Sequence, residues 1–225
     1  MTLLMTSSSF KPLTKSGCRF CDMQNLGNRN KLDEPWCIES NYYSLVSKGA
    51  LVHGWVLVFP KKHMLNLTDE YMDDDFHNYV NSIKDLIEDK YGKCVVFEHG
   101  SNRDNSLTSC GTVHAHLHIV PLELELKFKD KVLAYDTNLK WMTCEIKDVK
   151  NISGNSEYLF FSDEYNKGVT SGWICLLEKQ TSQFFRRVIA QGLGIPDKFN
   201  YKEFAMDDIS SETLEHIKAN FSPKI

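Results

Sequence analysis

The sequence predicts an α+β protein, and three observations carry that reading. Short runs rich in β-branched and aromatic residues recur through the chain. One long segment, Asp69–Lys90, repeats its apolar residues near the helical period. A third segment, Val113–Leu122, alternates histidine with apolar residues, the period of a strand.

Met1–Ser16 reads as a disordered lead, with a polar run of serines after Thr6. Trp36–Val46 favours strand by composition, and Gly49 and Gly54 bracket the turn that follows. Trp55–Pro60 is a continuous apolar run ended by proline, which fits a buried strand. In the helix Asp69–Lys90 the apolar stripe is Tyr71, Phe76, Tyr79, Val80, Ile83, Leu86 and Ile87. Thr68 is its expected N-cap, acidic residues crowd its first turn, and Gly92 closes it. Cys94–Glu98 is a further strand, and a polar loop from Gly100 to Gly111 leads into the histidine strand. In the last third, Glu157–Phe161 and Gly172–Leu177 read as two strands. Ser182–Leu193 reads as a helix with Thr181 or Ser182 as N-cap, capped by Gly194 and stopped by Pro196.

With 225 residues and 42% hydrophobic composition, the chain has the material for one elaborated domain. Its net charge of −4 argues against a large basic face for gripping duplex nucleic acid, but is compatible with a small pocket for one phosphate. Seven cysteines, an odd number with only Cys18 and Cys21 closely spaced, do not make a secreted disulfide framework. No secretory pattern is read at the N-terminus, and no stretch approaches the ~18 apolar residues of a membrane helix. The expectation is a cytoplasmic protein with free thiols and no membrane partner.

The histidine row carries the chemistry. Residues two apart on a strand share a face, so His114, His116 and His118 project the same way, ~6.6 Å apart per step. Such a row makes a poor core layer. Imidazoles can act there as neutral metal ligands or as a nucleophile against an electrophilic centre. Three successive same-face residues on a straight strand diverge, which counts against all three closing on one ion.

The run His114-Ala-His116-Leu-His118-Ile-Val-Pro resembles the His-x-His-x-His-x-x signature of the histidine-triad superfamily. Gly54–His63 is similar to the strand ending in Pro-Lys-x-His of that family, and Cys18-Arg-Phe-Cys21 resembles the cysteine pair near the N-terminus of many members. Together these segments span Gly17 to Leu122. The resemblance implies an antiparallel sheet with packed helices, a catalytic domain over residues 17–135, and residues 136–225 as a strand-strand-helix extension on the same domain. It also implies a two-step reaction at an α-phosphate, on dinucleoside polyphosphates or nucleoside phosphoramidates. His116 is then the nucleophile that forms a nucleotidyl-histidine, and His118 donates a hydrogen bond to the phosphate oxygens. Ser109, Gly111 and Thr112 are expected donors to the same oxygens, although this chain has Cys110-Gly-Thr-Val where the family often has Gln or Ser. His99 stands where relatives carry an amide, and is expected to donate to the substrate.

In metal-binding relatives the cysteine pair is completed by the histidine after Pro-Lys and the first triad histidine. Here these are His63 and His114, so the resemblance implies a structural zinc held by Cys18, Cys21, His63 and His114. Thr181–Ala190 with Pro196–Phe204 is similar to the segment that follows the triad in larger members, among them proteins related to an RNA-lariat debranching-associated factor. That adds a non-catalytic nucleotide- or RNA-binding factor as the alternative to an enzyme. Gln183 and Arg187 share a helix face by the i, i+4 rule and are expected to reach the phosphate tail. A homodimer, or an added third that replaces a partner subunit, are both open.

Overall fold

The computed structural model describes residues 14–24, 30–104, 106, 113–123, 126–166, 170–179 and 181–220. The protein is α+β, with an antiparallel sheet of eight strands among the described residues. In chain order these are β1 (Cys37–Ile38), β2 (Tyr42–Val46), β3 (Val56–Pro60), β4 (Cys94–Gly100), β5 (Leu117–Pro121), β6 (Trp141–Glu145), β7 (Tyr158–Ser162) and β8 (Ser171–Leu176). Across the sheet they lie β1-β2-β3-β5-β4-β7-β8-β6. The helices are α1 (Arg19–Met23), α2 (Asp74–Tyr91), α3 (Phe128–Tyr135), α4 (Val149–Ser153), α5 (Phe184–Gly192) and α6 (Asp207–Asn220).

Both faces of the sheet are covered, which is why β2, β3 and β7 are buried at every position rather than alternately. On one face Phe76, Val80, Ile83 and Ile87 of α2 pack on Val56, Val58, Val96, Leu117 and Ile119, and Leu214 and Ile217 of α6 join them. Each such side chain contributes about 1.5–3 kcal/mol relative to exposure. On the other face α3 and α5 bring Phe128, Val132, Phe184, Phe185 and Val188 onto Leu57, Phe97, Val120, Leu159 and Phe161. The strand period decides the rest. Leu117 and Ile119 point to α2, so His118 points to the α5 side.

Three boundaries depart from expectation. Helix α2 begins at Asp74, not Asp69: Glu70–Met72 forms a 3-10 turn, and extended Asp73 caps the helix by accepting from the Asp75 N–H over 2.9 Å. Thr68 instead donates its hydroxyl to Asn66. Helix α5 begins at Phe184, and neither Thr181 nor Ser182 caps it, because left-handed Gln183 (φ 55°) is the residue that turns the chain in. The histidine strand is paired only from Leu117. Val113–His116 runs beyond the β3 ladder, where the Ala115 N–H is taken by the Met64 carbonyl.

The last third adds more than two strands and a helix. Beta-strand β7 pairs with β4, β8 with β7, and β6 closes the far edge, so the same sheet continues. Among the described residues no helix is long and apolar enough to cross a membrane.

Candidate active site and metal centre

Strand β5 lies between β3 and β4, so His118 stands opposite Leu57 on one side and Phe97 on the other. The Phe97 ring stacks on it with centroids 4.5 Å apart. Trp55 meets it edge-on, and its indole N–H reaches His118 Nδ1 over 3.0 Å. An indole only donates, so Nδ1 is the acceptor and the neutral His118 ring carries its proton on Nε2. The His116 ring lies 4.8 Å from that of His118, and its Nδ1 is 2.8 Å from the His114 carbonyl oxygen. A carbonyl only accepts, so His116 holds its proton on Nδ1 and keeps the lone pair on Nε2. By the same reasoning His114 donates from Nε2 to the Pro60 carbonyl over 2.9 Å, leaving its Nδ1 lone pair free. Three neighbouring imidazoles thus present three different groups: a lone pair at Nδ1 of His114, a lone pair at Nε2 of His116 and an N–H at Nε2 of His118.

Burial lowers the basicity of all three. His114 is pushed down to about 4, against the pull of its Pro60 bond. His116 is lowered by burial, opposed by the His114 carbonyl. His118 falls well below the usual range through burial, and then through His116, Arg186 and His99. The row is therefore neutral at pH 7, the state in which an imidazole nitrogen can attack or ligate.

His114 faces the cysteine pair. Its Nδ1 lies 3.5 Å from both Cys18 Sγ and Cys21 Sγ, and His63 Nδ1 is 3.4 Å from Cys21 Sγ. All four donor atoms fall within 4.8 Å of one another. A tetrahedral zinc with sulfur at ~2.3 Å and nitrogen at ~2.0–2.1 Å spaces S and N by ~3.5–3.6 Å, so the donor set and its edges fit such an ion. The cluster could hold a metal.

Beside the row opens a cavity of ≈ 130 Å³. Phe20 and Met23 of α1 with Leu45 and Leu57 line it as apolar surface, and His116, His118, His99 and Arg186 supply polar groups. Among the described residues His99 Nε2 is enclosed without a hydrogen-bond partner, and burial, aided by His116 against the pull of Glu157, pushes this imidazole down to about 4. At the wall Asp33 pairs with Arg19 over 2.6 Å and with Lys48 over 2.7 Å. Burial works against its charge, but the hydrogen bonds from Lys48 and Arg19 outweigh it and lower the carboxyl.

The cavity brings His99, His114, His116 and His118 together. It does not bring Gln183 or Arg187 into its lining: Gln183 bonds Asn200, and Arg187 lies 3.8 Å over the Phe199 ring and bonds the Ser182 carbonyl. Gln183 is the left-handed residue ahead of α5: its carbonyl accepts the first helical bond from the Arg187 N–H over 3.0 Å, but its side chain leaves the backbone outside the helix. Arg186 is the arginine that enters, bonding the Phe199 carbonyl over 2.8 Å and the Gly49 carbonyl, its guanidinium 5.0 Å over Trp55. Ser109, Gly111 and Thr112 lie outside the described residues. Sequence reasoning did not place Trp55, Arg186 or Asp33 in the site: Trp55 read as the start of a buried run, Arg186 as one of two arginines on a helix, and Asp33 as one charge beside Lys31 and Glu34.

The fold and site define an α+β protein that carries a histidine row beside a Cys2His2 donor cluster. The family model described as "Protein similar to CwfJ C-terminal" matches residues 11–133, and the chain belongs to that family. Among solved structures, a hypothetical histidine triad nucleotide-binding protein from Sulfolobus tokodaii strain7 is 23% identical. That match covers 46% of this chain and 68% of that one, with a TM-score of 0.36. A galt-like protein from Arabidopsis thaliana is 9% identical over 84% of this chain and 93% of that one, with a TM-score of 0.38. No curated protein sequence matches significantly.

Proposed function

We propose that the protein binds a nucleotide in this cavity and hydrolyses or transfers its nucleotidyl group through a covalent intermediate on His116. The observation that carries the reading is the split of tautomers: His116 offers a lone pair at Nε2 while His118, 4.8 Å away, offers an N–H. In the first step His116 Nε2 bonds the α-phosphorus as the bond to the leaving phosphate or amine breaks, and that group takes a proton from water if it needs one. The carbonyl of His114, accepting from Nδ1, stabilises the positive charge that develops on the ring. His118 Nε2–H donates to a phosphate oxygen, where charge accumulates. In the second step water, or another acceptor hydroxyl, bonds the phosphorus and gives up its proton to solvent while the N–P bond breaks and His116 is restored.

The apolar part of the cavity suits a base and the polar part a phosphate. Dinucleoside polyphosphates and nucleoside phosphoramidates are the substrate classes this reading favours, with Ser109, Gly111 and Thr112 as further donors. A zinc on Cys18, Cys21, His63 and His114 would be structural, since its four protein ligands leave no open position. It would fix the His114 backbone to which His116 is bonded.

The test is to incubate the protein with each substrate class, quench in alkali, and weigh the intact chain. Wild type is expected to show a nucleotidyl adduct and turnover, and folded His116→Asn neither. Nucleotide or RNA binding without adduct or turnover would replace the enzyme by a binding factor.

A further inference from the structure

We propose that Trp55, backed by Arg186, is a positioning residue that holds His118 with its proton on Nε2, facing the cavity. The bearing of this on catalysis rests on the nucleotidyl-transfer reading above; the tautomer itself does not.

A neutral imidazole in water moves its proton between two nitrogens, and a triad member with the lone pair facing a phosphate would repel it. Something must choose. For His114 and His116 the choice is made by backbone carbonyls. Among the described residues His118 has no such partner; its Nδ1 meets the Trp55 indole N–H at 3.0 Å. Trp55 is fully buried, and it precedes β3 so that its ring lies edge-on to His118 at 71° and to Phe97 at 83°. Phe97 stacks on one face of His118, centroids 4.5 Å apart and within 18° of parallel, and packs the ring in place beside the indole.

Arg186 completes the arrangement from a distant part of the chain. Its guanidinium sits 5.0 Å over the indole and 5.7 Å over Tyr201, tied to the carbonyls of Phe199 and Gly49. A cation over an indole face is attracted to it, and by drawing electron density from the ring it makes the N–H a better donor. Helix α5 thus acts on the reaction through Trp55, without needing to touch the phosphate. Supporting groups of this kind typically hold a ~10–100-fold share of activity.

Full-length, metal-loaded protein labelled with 15N-histidine provides the test, by long-range proton–nitrogen correlation at pH 7. Wild-type His118 is expected to show an unprotonated Nδ1 and a protonated Nε2. Trp55→Phe keeps the ring and removes the donor, and is expected to give a mixture of tautomers; Arg186→Lys is expected to move the same signals part of the way. Where turnover is present, Trp55→Phe is expected to lose ~10–100-fold in kcat with KM within ~3-fold. A wild-type His118 protonated on Nδ1 would overturn the proposal, whether or not either variant folds. So would a folded Trp55→Phe that keeps pure Nε2–H. The spectrum needs no turnover, so a chain that forms no adduct can still show this tautomer, and one that forms an adduct can still lack it.

Discussion

Glu98 is a carboxyl enclosed on the α2 side of β4, 1% exposed, back to back with the active-site face. It accepts from the Leu67 N–H and the Tyr71 hydroxyl at 2.7 Å each, and from the Tyr158 hydroxyl. Burial nevertheless dominates those three bonds and raises its pKa from 4.5 to about 7. A shift of that size, at about 1.4 kcal/mol per unit, is worth about 3 kcal/mol. The sign follows from proton counting. Between about pH 4.5 and 7 the unfolded chain has released this proton while the folded chain keeps it, so this stabilisation is full below 4.5 and lost as pH rises to 7. His99 and His114 pull the other way, since both are depressed to about 4 and favour folding more as pH rises from 4 toward 6.5. The bare wild-type curve is therefore a sum of opposing trends. Urea unfolding of wild type and Glu98→Gln at half-unit steps from pH 4.5 to 8 separates them, because the histidine contributions cancel in the difference. Wild-type stability minus variant stability should fall by about 3 kcal/mol across that range and flatten above pH 7. A difference that is level, or that grows with pH, would refute a burial-dominated carboxyl and leave the three donors in control.

Cys21→Ser should reduce bound zinc, measured by mass spectrometry of the metal-reconstituted protein, from one equivalent to a small fraction. Its melting temperature should drop toward that of chelator-treated wild type, because the affinity of a structural site is folding free energy. Gly54→Ala should cost about 2–3 kcal/mol in urea unfolding: its φ of 79° disfavours a side chain, and an added Cβ would meet the Tyr91 ring at 2.6 Å and Pro121 at 2.9 Å. A change under 1 kcal/mol would show that those rings yield.

Much of the site's half of the molecule was legible in the sequence. Trp55–Pro60 and Cys94–Glu98 could be read as strands because both are central and buried on two faces, so apolar residues run without interruption. Asp69–Lys90 could be read as a helix for the opposite reason: one stripe meets the sheet and the rest meets water. The helix start was misplaced because Thr68 and Asp73 are both good caps, and only the packing of Phe76 and Tyr71 selects between them. Strand β6 went unread, since it is an edge strand whose Met142 and Thr143 stay exposed and whose partner lies some thirty residues later. The amphipathic signal of α6 is likewise faint, with few buried apolar residues. In the site, the histidine alternation spoke for itself, but the ligand role of His114 came only through a resemblance. Trp55 and Arg186 carried no local signal of a positioning role, for that meaning arises when residues 131 positions apart stack.

The β4–β7 pairing has a consequence for anyone cutting this chain. The family match ends at residue 133, ahead of the strand that binds β4 from Val96 to Gly100. A fragment drawn to that boundary would leave the β4 backbone from Val96 to Gly100 facing solvent and strip Phe97 of Phe185, turning an inner strand into a sticky seam. Sequence similarity and mechanical completeness have different end points in this molecule, and an expression clone should respect the second.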